Sequence, residues 1–141
     1  MTIGRSAEVL LLTAWAGAAW FAALFVAPQL FGMLPPEQAG NVAGMMFRSV
    51  FWISLPALAW CLAQVARSPA ATVRLDRWLV AGALTISLVL GLVLQPHVAS
   101  MRVGTTPPGP GFAIVHGAAS VLFLVNCMLA AVILLRRWRA R

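Results

Sequence analysis

Four apolar stretches, each close to the length needed to cross a bilayer, constrain this chain more than any other feature. A helix needs about 20 apolar residues to span a hydrocarbon core of roughly 30 Å. Such stretches run from about 7 to 27, 49 to 66 (with a helical extension reaching back to 38), 78 to 95 and 112 to 135. Between them lie "GMLPPEQ", "RSPAATVRLDR" and "HVASMRVGTTPPGPG", punctuated by proline and glycine as connections are. Pro28 and Pro96 are expected to end the first and third helices. Only 9% of residues are charged and 62% are hydrophobic, against roughly 25% charged in soluble domains. The expected fold is all-α: one integral membrane domain over residues 1–141, an antiparallel four-helix bundle. The first apolar run exceeds the roughly 7–15 residues of a secretory signal core, and Glu8 interrupts its flank, so it reads as a retained span.

Arginine sets the orientation. All ten basic residues are arginine, against three acids, for a net charge of +7. With four spans, Arg5, Arg67, Arg74, Arg77, Arg136, Arg137, Arg139 and Arg141 share one side, while Arg48 and Arg102 fall on the other. Cytoplasmic loops collect arginine, so both termini are expected in the cytoplasm, with Trp78 and Trp138 at the inner interface. The charge is thereby explained without nucleic acid. Cys61 and Cys127 lie inside apolar runs and read as buried structural thiols.

Lipid supplies no hydrophobic drive between helices, so small residues and polar contacts must join them. Ala14, Ala18 and Ala22 line up on helix 1, and Ala83, Ser87 and Gly91 on helix 3. Gly40 and Gly44 form a GxxxG at the start of helix 2. Asn126 lies about 15 Å along its helix from His116, near mid-bilayer, where its amide is expected to bond another helix.

Counting about 28 Å outward from the inner arginines brings Arg48, His97 and His116 to one depth, with Gln29, Gln95 and Arg102 close by. Two readings fit. These side chains can anchor helix ends among headgroups and water, or they can form a polar ligand-binding pocket at the outer mouth. His116, Ser120, Phe123 and Cys127 share one helix face, expected to look inward. Met33, Met45, Met46 and Met101 fall on the outer half, so copper is an alternative, as is haem held by His97 and His116. No cofactor is the primary expectation. No nucleophile triad, phosphate loop or carboxylate pair is present to suggest an enzyme. Glu8, Glu37 and Asp76 are read as lying on different sides of the membrane, with no acid available within it.

"WAGAAWFAALFVAPQLFGMLPPEQAGNVAGMMF", "LQPHVASMR" and "FAIVHGAASVLFLVN" resemble a family of small four-span membrane proteins. These are the bacterial domain-of-unknown-function 4149 proteins and the eukaryotic proteins similar to transmembrane protein 205. The likeness covers nearly the whole chain and implies a four-helix integral membrane protein, here of a bacterial inner membrane. A looser likeness links it to copper-resistance and haem-pathway membrane proteins. Three roles remain open: a small binding or interaction protein, a redox or metal protein, and an oligomeric transport component. Membrane lipids and further copies of the chain are the expected partners.

Overall fold

The computed structural model describes residues 3–68, 73–101 and 109–139. All their regular secondary structure is helical. Helix α1 spans Ile3–Phe21 and passes through a π-helical turn, Ala22–Val26, into α2, Ala27–Met33. Helix α3 runs from Pro36 to Arg67. Helix α4, Arg74–Leu88, continues through a second π-helical turn, Val89–Leu94, into α5, Gln95–Ser100. Helix α6 covers Pro110–Arg139. Four helical runs are thus long and apolar enough to cross a membrane: Gly4–Met33, Pro36–Arg67, Arg74–Ser100 and Gly111–Arg139. A helix suits them because it satisfies its own backbone hydrogen bonds where no water is present to do so.

Pro28 and Pro96 do not end their helices, contrary to the sequence expectation. A proline lacks the N–H for its own helical bond, and its ring clashes with the carbonyl four residues back. Here both carbonyls, those of Leu24 and Leu92, lie inside the π-helical turns. The residue before each proline bonds five residues back, Ala27 N–H to Ala22 O and Gln95 N–H to Leu90 O. The widened turn makes room for the ring, and the helix continues.

Helix α3 packs on α1 and α4, and α6 packs on the same two helices from the other side. Leu12, Trp15, Leu58, Val80, Cys127 and Ile133 are among the side chains buried where they meet. Packing is uneven along α6. Among its described side chains, those that are buried lie from Asn126 onward, whereas Ile114 is 74% and Val121 61% exposed. Helix α2 likewise buries no residue, although it lies along α3.

The small-residue stripes pack selectively. On helix 1 the buried alanines are Ala16, Ala19 and Ala22, while Ala14 is exposed. Gly40 is buried, but Gly44 is exposed and faces open space. Ala83 and Ser87 are buried, and Gly91 lies so close to the Phe51 ring that a Cβ there would collide with it.

Candidate functional site

The most concentrated polar chemistry lies where the N-terminal part of α1, the C-terminal parts of α3 and α6, and the start of α4 meet. Glu8 of α1 is 2% exposed, inside an otherwise apolar face. Arg137 of α6 reaches it with two nitrogens: Nε donates to Oε1 at 2.6 Å and a terminal nitrogen to Oε2 at 3.2 Å. This two-pronged geometry is the strong form of the guanidinium–carboxylate pair. The Cys61 thiol of α3 donates to the same Oε1 at 3.3 Å. Asp76 of α4 accepts from Arg136 Nε at 2.5 Å and lies 3.6 Å from Arg137. Two carboxylates thus meet two guanidinia, and all four helical runs contribute a side chain.

Supporting contacts surround this clasp. Arg77 donates to the carbonyls of Val65, Ala66 and Ser68, capping the last turn of α3. Trp60 Nε1 donates to Gly4 O at 3.1 Å, and Arg5 donates to Arg137 O at 3.3 Å. Chemically the clasp is balanced: each buried acid already holds a cation, which suits it to fastening helices. Burial among the helices was not expected of these acids: Glu8 and Asp76 are both buried, near the ends of their helical runs. The signal was available in principle. An acid inside "AEVLLL" needs a partner to be tolerated there, and the run "RRWR" holds arginines on opposite helix faces.

A second polar group lies deeper. Asn126 Nδ2 donates to Ser87 Oγ at 2.9 Å, joining α6 to α4. Asn126 Oδ1 is buried and has no hydrogen-bond partner among the described residues. Both residues line a cleft of about 20 Å³, together with Ser54 and Gln95. Its walls include the rings of Trp15, Phe47, Phe51 and Phe123. Phe47 and Phe123 meet edge to face, with centroids 4.7 Å apart.

Of the outer side chains singled out from sequence, Gln95 is half-buried and lines this cleft. Gln29, Arg48, His97 and His116 are exposed, on α2, α3, α5 and α6 respectively. Arg102 lies outside the described residues. His116 stacks on Phe112, with centroids 5.4 Å apart, and its carbonyl accepts from Ser120 Oγ. The face expected to look inward does so only from Phe123 onward; His116 and Ser120 are exposed. Among the described residues, no three His, Cys, Asp or Glu side chains converge as metal ligands.

Comparison with known proteins gives one relationship. The family described as a domain of unknown function, DUF4149, matches residues 10–105. No curated protein and no solved structure matches the chain. The match takes in three helical runs and stops before α6, so Glu8, Asn126 and Arg137 lie outside it. It covers well over half of the 141 residues, and the chain belongs to the DUF4149 family.

Proposed function

We propose that the four helical runs form an antiparallel bundle in a bacterial inner membrane, with both termini in the cytoplasm, and that the protein acts by binding. Asn126 Oδ1 carries this reading. It is a buried acceptor left without a partner at an aromatic-walled cleft. Leaving such an atom unmet costs about 1–3 kcal/mol, which a ligand hydroxyl or amide offsets by donating to it. At about 20 Å³ the cleft admits one water-sized donor group, so a hydroxyl or amide tip would enter it with the rest of the ligand outside, and Gln95 offers a second polar contact. Gln29, Arg48, His97 and His116, all exposed, would supply the polar rim.

Native mass spectrometry of protein purified in mild detergent from its host membrane tests the reading. A small molecule that accompanies the wild type and is lost from Asn126→Leu is the expected result. Spectra without any adduct, or with the same adduct in both proteins, overturn it. Visible absorbance of the same preparation tests the haem alternative through His97 and His116, and elemental analysis tests the copper alternative, because Cu(I) on thioether and imidazole is colourless. Orientation is tested by cysteine labelling of intact cells. Position 105 should react from outside and position 70 should not, with the native Cys61 and Cys127 protected by burial. Reaction at position 70 would refute cytoplasmic termini.

A further inference from the structure

A shallow apolar groove of about 370 Å³ runs along α6, away from the cleft. Val121, Val125, Met128 and Val132 form its floor at helical spacing, and Leu79 of α4 closes one side. One turn beyond Leu79, Gly82 faces open space where a side chain would otherwise stand. Every residue lining the groove is apolar.

The stripe does not stop at the groove. At 100° per residue, Arg139 lies directly in line with Val121, eighteen residues earlier, and Arg136 is about 60° to its side. Arg137 falls on the opposite face, which agrees with its burial against Glu8. The apolar groove therefore leads to exposed Arg139 and to Arg136, whose side chain is 39% exposed beside Asp76. Trp78, 71% exposed, and Trp138, 49% exposed, mark the same end as an interfacial region. Glu8 and Asp76 are already held by Arg137 and Arg136, and Glu37 lies at the start of α3, distant in the fold from this end. Among the described residues none of these three acids pairs with Arg139, so its exposed guanidinium can meet an external anion.

We propose that this face is an anionic phospholipid site: an acyl chain lies in the groove and its phosphate meets Arg139 and Arg136. A second copy of the chain is the competing occupant. Two copies with the same orientation in a membrane, meeting through this face, would place Arg136 and Arg139 against their own duplicates. Like charges in contact oppose that arrangement, whereas a phosphate accepts both guanidinia. The site is separate from the cleft, so its failure would leave the proposed ligand reading untouched.

Native mass spectrometry with added dioleoyl phosphatidylglycerol or dioleoyl phosphatidylcholine tests the site on wild type, Arg139→Gln and Val125→Trp. Both substituted side chains are exposed, and circular dichroism checks that each variant keeps its helix. The wild type should bind phosphatidylglycerol more tightly than phosphatidylcholine. Arg139→Gln should weaken phosphatidylglycerol about fivefold, equivalent to about 1 kcal/mol for one arginine at an anionic surface. Val125→Trp should weaken both lipids by filling the groove. Equal affinity of the wild type for the two lipids, or binding indifferent to both variants, overturns the proposal. A wild-type dimer dispersed by Val125→Trp also overturns it, because the groove would then belong to a second copy.

Discussion

Neutralising Glu8 should loosen the protein out of proportion to the atoms changed. Glu8→Gln keeps the side chain's shape but leaves Arg137, 8% exposed, without its two-pronged partner. Breaking one side of a buried ion pair destabilises by about 3–5 kcal/mol, mostly because the remaining charge stays buried. Asp76, 3.6 Å from Arg137, supplies a second anion and places this variant near the lower end, about 3 kcal/mol. Arg137→Met is the harsher change. It leaves Glu8 with the Cys61 thiol as its remaining contact in the clasp, a neutral donor 3.3 Å away. The double variant removes both charges together, and its loss should fall short of the sum of the singles by about 1.5–3 kcal/mol. Reversible unfolding in mixed micelles, followed by helicity, measures all three variants against wild type. Single losses below 1 kcal/mol, or a double variant that is simply additive, would show that the pair does not hold the helices as described.

Gly91→Ala should destabilise by about 1–3 kcal/mol through overpacking, because Phe51 is buried and its ring already lies 5.1 Å from that of Trp52. Thermal unfolding in detergent should show the loss and its partial recovery with Phe51→Leu; an unshifted transition contradicts the close approach. Asn126→Leu should weaken the ligand-loaded protein by roughly 0.6–2 kcal/mol by removing the bond to Ser87, whereas in ligand-free protein relief of the unmet Oδ1 offsets that loss; denaturant titration that finds no difference between the two conditions would argue against both terms. Arg136→Gln should cost less than Arg137→Met, since Arg136 is 39% exposed and can be replaced by water or headgroups; the reverse ranking would refute the burial argument.

Apolar run length made the four spans legible, because it reports directly on the thickness to be crossed. The helix ends were less legible. Pro28 and Pro96 carry an intrinsic stop signal, and only the five-residue bonds before them reveal that the helix absorbs each ring. Asn126 could be placed in depth by counting along one helix, while its partner Ser87 depended on how two helices face each other. The Glu8–Arg137 pair was hidden for a stronger reason. Its members are 129 residues apart, and local periodicity carries no information about such a pairing. Glu8 reads as an interruption near an end, and Arg137 as one more arginine in a basic tail, until the fold brings them together.

The distance along the chain between these two residues also imposes an order of events on biosynthesis. At about 5–20 residues per second, Glu8 emerges from the ribosome roughly 6–26 s before Arg137, 129 residues later. Cys61 follows Glu8 by 53 residues and can offer its thiol in the interval, but the compensating cation is encoded in α6. A nascent chain that stalls or is cut before α6 therefore carries two acids, Glu8 and Asp76, whose native guanidinium partners have never been made. Such an intermediate differs electrostatically from the finished product, and a membrane protease or insertion chaperone that senses unpaired carboxylates has a chemical criterion for telling the two apart.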